Sequence, residues 1–153
     1  LDYYIMDNYQ IECRRFSYEI VSAILVRVSS LFTPPLSAGL DIEQYAHKLS
    51  EKAIFLTCCE AEKMVGFIAY YLNEQVKEFY ITLICVDSAY QTNGIGSQML
   101  DKLIRIARQS RISCETIALE VNKQNSKAYS FYKKHGFVEQ EDRGTKILMK
   151  KNL

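Results

Sequence analysis

Residues 86–103 read VDSAYQTNGIGSQMLDKL, where the chain passes from a strand through a glycine turn into a helix. The run that leads into this stretch, residues 81–86 (ITLICV), is short, apolar and rich in β-branched side chains, which is typical of a buried strand. The first amides of a helix lack internal acceptors and lie at the positive end of its dipole, so the junction predicts an anion site. The apolar face of the helix recurs at steps of three and four: Ile95, Met99, Leu103, Ile106 and Ala107.

Two familiar nucleotide motifs do not fit this turn. A P-loop requires a lysine directly after its last glycine, whereas Gly96 is followed by Ser97. A dinucleotide fingerprint requires a small residue at the position of Met99. A pair of glycines can also do no more than shape a turn, so the ligand has to be inferred from a second motif.

The second motif is residues 119–137, LEVNKQNSKAYSFYKKHGF. It predicts a strand end, an asparagine cap at Asn125, a short helix and a glycine that ends this helix. The spacing places one stripe of side chains on a single helix face: Ala128, Phe131, Tyr132 and His135. Without further context, an aromatic stripe of this kind is more often core than catalysis.

Together the two motifs resemble the GNAT superfamily of acetyl-coenzyme A-dependent N-acetyltransferases. The turn is similar to its Arg/Gln-x-x-Gly-x-Gly/Ala motif at Gln91, Gly94 and Gly96. The second motif is similar in spacing to the family's asparagine, alanine, Phe/Leu-Tyr and Gly-Phe block: Asn125, Ala128, Phe131, Tyr132, Gly136 and Phe137. The resemblance covers residues 81–137.

The resemblance implies an α+β fold, with a mixed, mostly antiparallel twisted sheet of six to seven strands flanked by four helices, in a single domain over residues 1–153. It implies acetyl-CoA as co-substrate, with turn amides around the pyrophosphate, the strand near Cys85 polarising the thioester carbonyl, and no metal. In the family the asparagine also hydrogen-bonds the pantetheine arm or a water beside it. The implied cofactor-binding residues are Ile84, Cys85, Val86, Gln91, Thr92, Asn93, Gly94, Ile95, Gly96, Ser97, Asn125, Ala128 and Tyr132.

Acetyl transfer to an amine requires a neutral nucleophile, support for the oxyanion and a proton for the leaving thiolate. Tyr132 corresponds to the tyrosine that the family uses as the acid. A phenol of pKa about 10 stays protonated at neutral pH and can donate to a thiolate of similar basicity. His135 is interpreted as a helix-end residue that interacts with the dipole, not as a base.

Glu120 is the candidate base. It lies in Leu-Glu-Val, twelve residues before Tyr132, and is similar to the base of GNAT enzymes that acetylate protein N-termini. It could equally be a solvated glutamate on a strand. Glu78 is the competitor near the start of the central strand, although a residue count places Tyr80 closer to the matching position.

The composition limits the other function classes. With 19 basic and 18 acidic residues the chain has no electrostatic footprint for nucleic acid. Five cysteines without a C-x-x-C pair, and only two histidines, predict reduced thiols, no zinc site and a cytoplasmic protein without a secretory segment. Cys85 is expected to be a small core residue. Glu19 borders the apolar run of residues 20–32 and Arg27 interrupts it, far short of a membrane span, so no membrane association is expected.

The remaining pattern predicts the order of the elements. Residues 20–32 carry a helical stripe, and Asp41 can cap a second helix over residues 42–52. Three strands follow without intervening helices, which excludes a doubly wound sheet. The first strand could lie at residues 3–6 or 10–13. The later expected segments are strands 54–59, 64–72 with a bulge at Gly66, 76–86 and 116–121, helix 125–135, and strands 137–141 and 146–149.

The sequence therefore predicts an enzyme that acetylates a primary amine by direct attack. The acceptor stays open between a protein N-terminus, a small amine and an antibiotic, and so does homodimer formation. The resemblance implies that residues 32–40 line the acceptor pocket, although the proline pair there could also be a stiff connector. The alternative function is a non-catalytic module that binds coenzyme A, but a pure binder has no need of the Tyr132 phenol.

Overall fold

The computed structural model describes residues 3–6, 8–32, 34–38 and 41–153. The strands are β1 (Tyr3–Met6), β2 (Tyr9–Arg14), β3 (Ile54–Glu60), β4 (Lys63–Asn73), β5 (Glu78–Val86), β6 (Thr116–Asn122), β7 (Val138–Asp142) and β8 (Lys146–Asn152). The α-helices are α1 (Tyr18–Val28), α2 (Ile42–Lys52), α3 (Ile95–Arg108) and α4 (Ser126–Lys134). The strands form one sheet in the order β1-β2-β3-β4-β5-β6-β8-β7, which confirms the predicted mixed, mostly antiparallel fold.

The N-terminal segment contributes two strands where the sequence indicated one. Residues 3–6 and 9–14 form a hairpin, and β2 pairs along β3 from Tyr9 opposite Glu60 to Arg14 opposite Phe55. The sheet therefore has eight strands instead of the expected six to seven. The physical reason is that the open edge of β3 offers backbone partners to β2, and β2 then offers its own edge to β1.

The helices cover the sheet in two layers. Helices α1 and α2 pack on one face against apolar side chains such as Phe55, Phe67 and Leu83. Helices α3 and α4 pack on the opposite face against residues such as Ile68 and Phe79. The buried side chains of β5 reach both layers, because Phe79 and Ile81 belong to the layer of α3 and α4, and Leu83 and Cys85 belong to the layer of α1 and α2. None of the described helices is long and apolar enough to cross a membrane.

The sheet separates between its only parallel pair of described strands, β5 and β6. Residues 78–81 pair with residues 116–119, and the ladder then stops. A bulge explains the separation: Ala69 pairs with Leu83 and Tyr70 with Ile81, so Thr82 is an extra residue that bends β5. The C-terminal part of β5 stays paired with β4, and the C-terminal part of β6 stays paired with β8. A gap therefore opens between β5 and β6.

A second bulge lies where the sequence placed one, beside Gly66. Cys58 pairs with Gly66 and Cys59 with Met64, which leaves Val65 as the extra residue. A Cβ atom on Gly66 would lie 3.0 Å from the Cys85 carbonyl oxygen. The close approach of β5 therefore favours glycine here, and the shift in register confirms the expected bulge.

Candidate active site

A cavity of about 740 Å³ occupies the gap between β5 and β6. Residues 81–86 of β5 form one wall, and residues 119–122 of β6 form the opposite wall. Helix α4 contributes Ala128 and Tyr132, while Leu36 and its neighbours close the side next to α1 and α2. Most of the predicted site residues line this cavity: Ile84, Cys85, Val86, Glu120, Gln91, Asn125, Ala128 and Tyr132.

Gln91 is the first residue of the glycine turn; the rest of the turn, residues 92–97, does not line this cavity but lies beyond the end of β5, where α3 begins. The other three described α-helices start with a side-chain cap: Ser17 Oγ accepts from Ile20 N, Asp41 Oδ1 from Gln44 N, and Asn125 Oδ1 from Ala128 N. Helix α3 starts at Gly94 without a side-chain cap. Its first amides, at residues 95–97, therefore lie at the positive end of the helix with no acceptor from a cap.

The glycines leave room for a ligand at these amides. Gly94 has φ +74°, a left-handed conformation, and a Cβ atom there would have no protein atom within 4 Å. A Cβ atom on Gly96 would contact the Phe131 ring at 3.5 Å. The turn thus exposes backbone amides to open space on one side and packs against α4 on the other. This arrangement fits a pyrophosphate group.

Several side chains of the turn hold its shape. Gln91 Nε2 donates to the Val86 carbonyl over 3.1 Å, and Asn93 Nδ2 donates to Tyr9 Oη over 3.2 Å. The side chain of Ile95 is buried in the core. These residues can meet a ligand through their backbone, while their side chains fix the turn. Thr92 is the fourth side chain here, with its hydroxyl 3.5 Å from Asn93 Oδ1.

Ser97 makes a contact that the sequence did not indicate. Its Oγ lies 3.0 Å from His135 Nε2, which ties the first turn of α3 to the end of α4. On the other side of the ring, His135 Nδ1 lies 3.8 Å from Asp101. Ser97 and Asp101 are one helical turn apart, so the sequence could have indicated that both side chains lie on the same face of α3 and can contact one residue. His135 caps the C-terminus of α4, as expected for a helix-end residue.

Tyr132 lies deep in the cavity wall with only 6% of its surface exposed. Its ring packs edge-on against Phe131 and Phe137, at centroid distances of 5.6 and 5.8 Å. Burial raises the pKa of the Tyr132 phenol, because a phenolate would lose its hydration there. The phenol is therefore protonated at neutral pH, and Tyr132 lines the cavity.

Glu120 has two partners that fix its carboxylate. Tyr80 Oη donates to Oε1 over 3.2 Å, and Arg143 Nη1 lies 3.1 Å from Oε2. Arg143 also binds Glu141, with Nη2 3.0 Å from its Oε2. Burial raises the pKa of Tyr80, and the negative charge of Glu120 acts in the same direction. From the sequence, Tyr80 was noted only because it lies closer than Glu78 to the matching position on the central strand. No short sequence pattern predicted that Arg143 contacts β6.

Glu78 lies away from the cavity. Its Oε2 accepts from Thr116 Oγ1 over 2.9 Å and pairs with Lys150 Nζ at 3.0 Å. These contacts belong to the closed part of the sheet, where β5 and β6 still pair. The structure therefore does not bring the competing candidate base to the site, and this carboxylate stabilises the junction of three strands.

Cys85 is 7% exposed and packs in the core layer of α1 and α2. Burial raises the pKa of its thiol to about 12, so the thiol is protonated at neutral pH and suited to packing. All five cysteines are free. Among the described residues, no group of three His, Cys, Asp or Glu side chains could hold a metal ion.

The segment between α1 and α2 forms the apolar rim of the cavity. Its lining residues are Leu31, Phe32, Pro34, Pro35 and Leu36. The proline pair thus contributes directly to the wall that the family resemblance assigned to the acceptor. Thr33, Gly39 and Leu40, which belong to the same predicted loop, lie outside the described residues. Below this rim, the Tyr45 hydroxyl of α2 hydrogen-bonds Thr82, which ties the helix to the bulge of β5.

A sheet that parts between two parallel strands beside an uncapped helix is the GNAT fold, the class to which the two sequence motifs pointed. The model of the family described as Acetyltransferase (GNAT) matches residues 21–137. The chain belongs to this family.

Two curated relatives are similar in sequence. N-alpha-acetyltransferase 30 of Homo sapiens is 31% identical over 116 residues, which covers 72% of this chain and 31% of the human protein. The chain therefore spans about a third of the length of that relative. The [Ribosomal protein bS18]-alanine N-acetyltransferase of Escherichia coli (strain K12) is 30% identical over 122 residues, which covers 73% of this chain and 80% of the relative.

Solved structures share the fold over almost the whole chain. The PaiA N-acetyltransferase from Thermoplasma acidophilum in complex with coenzyme A has a TM-score of 0.73 and 22% identity, and the match covers 94% of this chain and 99% of the other. The ribosomal-protein-S18-alanine N-acetyltransferase from Escherichia coli has a TM-score of 0.69 and 21% identity over 93% of both chains. At these identities the comparison concerns the fold alone.

Proposed function

We propose that the protein transfers the acetyl group of acetyl-CoA to a primary amine, with the α-amino group of a protein or peptide as the favoured acceptor. The observation that carries this proposal is the cavity between β5 and β6, because it holds both the Glu120 carboxylate and the protonated Tyr132 phenol. The names of the two curated relatives, an N-alpha-acetyltransferase and an alanine N-acetyltransferase, support an amino-terminal acceptor.

The described residues fit coenzyme A in three respects. The amides of residues 95–97 at the uncapped start of α3 can bind the pyrophosphate. The edge of β5 that faces β6 has no strand partner over residues 82–86, so it can hydrogen-bond an extended amide chain and stabilise negative charge on the thioester oxygen. Asn125 lines the cavity, and its side-chain nitrogen can donate to the same chain.

Glu120 accepts the proton that the amine must lose, directly or through one water. An α-amine of pKa about 8 is mostly protonated at pH 7, so a base increases the fraction of the nucleophile. A carboxylate has about four lone-pair sites, and Tyr80 and Arg143 occupy one on each oxygen. The remaining sites can receive the amine proton while the two partners keep the carboxylate in place.

Tyr132 supplies the proton for the departing sulfur. As the new N–C bond forms, the C–S bond breaks and the sulfur takes the phenolic proton. The ammonium proton passes through Glu120 to solvent before the attack, and the second proton, which the nitrogen loses after the attack, balances the one that the phenol gives to the sulfur. The low exposure of Tyr132 keeps water from competing for this proton transfer.

The test is an acetylation assay with the purified chain, acetyl-CoA and a panel of amines. The panel contains a peptide with a free N-terminus, the same peptide with a blocked N-terminus and an internal lysine, a polyamine and an aminoglycoside. We expect thiol release and a mass increase of one acetyl group only with the free N-terminus. Modification of the other amines alone would overturn the acceptor class. Binding of acetyl-CoA without turnover of any amine would favour the non-catalytic module.

The resemblance also led to three predictions that concern the whole protein: a single domain over residues 1–153, a cytoplasmic location and a homodimer. All three stay predictions.

A further inference from the structure

The cavity between β5 and β6 has a polar end in addition to the apolar rim between α1 and α2. Where β6 ends and β8 begins, the lining residues are polar: Asn122, Lys123, Gln124, Thr145 and Lys146. We call these residues the polar end. Lys146 is exposed and is the first residue of β8, outside both sequence motifs. The polar end therefore brings a charged group to the site that the motifs did not predict.

Lys146 lies on the same face of the sheet as Glu120. In the pairing of β6 with β8, Asn122 lies opposite Lys146 and Glu120 lies opposite Leu148. Val121, between these two positions of β6, belongs to the core layer of α3 and α4, so Glu120 and Lys146 project from the other face. Diagonal neighbours on one face of an antiparallel pair lie about 7–8 Å apart, within reach of a long side chain. A molecule bound at the Glu120 carboxylate can therefore also contact Lys146.

Lys146 differs from the cations around it because it has no ion pair. Three of its neighbours are paired: Lys123 with Asp142, Arg143 with Glu120 and Glu141, and Lys150 with Glu78. Lys146 forms no such pair with any carboxylate that the structure describes. Its ammonium group can therefore bind a charge on a ligand without first breaking a contact inside the protein.

A bound acceptor changes the charge balance at the polar end. In the free protein three cations and three carboxylates of this region offset one another: Lys123, Arg143, Lys146, Glu120, Glu141 and Asp142. An acceptor amine arrives largely as an ammonium group, which adds a positive charge beside Glu120. A carboxylate on the acceptor restores the balance, whereas a second cation on the acceptor is repelled by Lys146.

We propose that Lys146 is a specificity-determining residue, which favours acceptors that carry a carboxylate side chain within their first two residues. This inference rests on the proposed function, because it places the acceptor amine at Glu120. In an extended peptide the Cα atom of the second residue lies about 5 Å from the amine, so a carboxylate on either residue comes within reach of the diagonal neighbour. The flexible four-carbon stem of lysine lets the ammonium group follow the carboxylate of an aspartate or a glutamate.

The test measures kcat/KM with peptides that differ at one residue only. Each of the first two positions carries aspartate, asparagine or lysine in turn, and the other residues stay the same. At one of these positions at least, we expect the unmodified protein to prefer aspartate over asparagine by roughly three- to fivefold, and over lysine by more. Salt at about 0.5 M should reduce this preference, because Lys146 is exposed.

Two variants test whether the preference comes from Lys146. Lys146→Gln should lose most of it, and Lys146→Glu should reverse it, so that the lysine peptide reacts faster than the aspartate peptide. The matched control is Lys127→Glu, which makes the same charge change at an exposed position of α4 that does not line the cavity. This control should keep the order of the unmodified protein. Each comparison is a ratio of two rates of one protein, so a partly unfolded variant still gives a valid result.

Equal kcat/KM values for aspartate and asparagine at both positions in the unmodified protein would contradict the proposal. An unchanged preference in both Lys146 variants would contradict it as well, because the source of the preference would then lie elsewhere. Failure of the proposed function gives a different result. In that case no peptide of the set is acetylated, whatever its charge.

Discussion

The Tyr80 hydroxyl donates a hydrogen bond to Glu120 Oε1 over 3.2 Å, across 40 positions of sequence and between two strands that have begun to separate. A second pair of the same chemistry lies on the surface, where Tyr129 Oη donates to Glu139 Oε2 over 3.0 Å. The surface pair has no part in the cavity. It therefore provides a matched control for the pair at the candidate active site.

Tyr80→Phe is expected to lower kcat/KM roughly tenfold, because it frees one oxygen of the proposed base to rotate. Stability should fall by about 1.5 to 3 kcal/mol, the usual range for a hydrogen bond to a charged group. The pH–rate profile should change shape as well. Tyr129→Phe should leave kcat/KM within about twofold, and equal effects of the two changes would contradict a positioning role for Tyr80.

Glu120→Gln is expected to lower turnover at pH 7 by roughly 10²-fold, since the amide cannot accept the amine proton. The deficit should shrink above about pH 9, where an α-amine of pKa about 8 is already neutral. The full pH–rate profile of both proteins measures this change. Glu78→Gln is the control, because its carboxylate binds Lys150 and Thr116 away from the cavity. A pH profile altered in the control and not in Glu120→Gln would reverse the assignment.

Tyr132→Phe is expected to lower kcat by roughly 10²-fold without changing the affinity for coenzyme A, because the ring and its packing against Phe131 and Phe137 remain. A donor thioester with a more acidic thiol needs less help from an acid. The variant should therefore recover much of its rate with such a donor. An equal deficit with both donors would show that the phenol does not protonate the leaving group.

Gly94→Ala and Gly144→Ala impose the same backbone strain in two places. Both glycines have positive φ, +74° and +84°, and at neither would a Cβ atom have a protein neighbour within 4 Å. Each change should cost about 1 kcal/mol in the free energy of unfolding, measured with urea. Only Gly94→Ala should also lower the affinity for coenzyme A, by tenfold or more, since its methyl group enters the proposed phosphate site. A similar loss in Gly144→Ala would refute the specific role of the turn.

A fall in pH is expected to lower the free energy of unfolding through the protonation of His135. Burial lowers the pKa of this histidine, Lys134 and Lys151 act in the same direction, and Asp101 opposes them. The unfolded chain therefore binds the proton more readily, so this contribution to stability is present above about pH 6.5 and is lost as the pH falls. Urea unfolding at pH 7.5 and 5.5 should show a smaller difference in His135→Gln than in the unmodified protein. His47→Gln, at an exposed position on α2, should keep the full difference.

The features that the sequence predicted are those with local signals. Asp41 caps α2 and Asn125 caps α4 as their spacing indicated, and Gly136 ends α4 with a positive φ. The extra strand at the N-terminus had no such signal, because β2 forms only where the edge of β3 is available. The hydrogen-bond and ion-pair partners of Glu120 had no local signal in the sequence either. Arg143 comes from the turn between β7 and β8, and its position depends on strand pairing that no short window of sequence contains.

The cavity wall that is formed by the segment between α1 and α2 differs in burial from the other walls. The proposed donor site rests on β5, α3 and α4, whose side chains are core residues such as Ile95 and Tyr132. In the rim, Leu31, Pro34 and Pro35 are exposed to solvent and lie outside both core layers, whereas Phe32 and Leu36 pack partly against the layer of α1 and α2. Substitutions at the exposed rim positions can therefore accumulate at little cost to folding, while changes on the donor side cannot. For laboratory selection, the rim offers a short segment in which to randomise acceptor choice while the transfer chemistry is held constant.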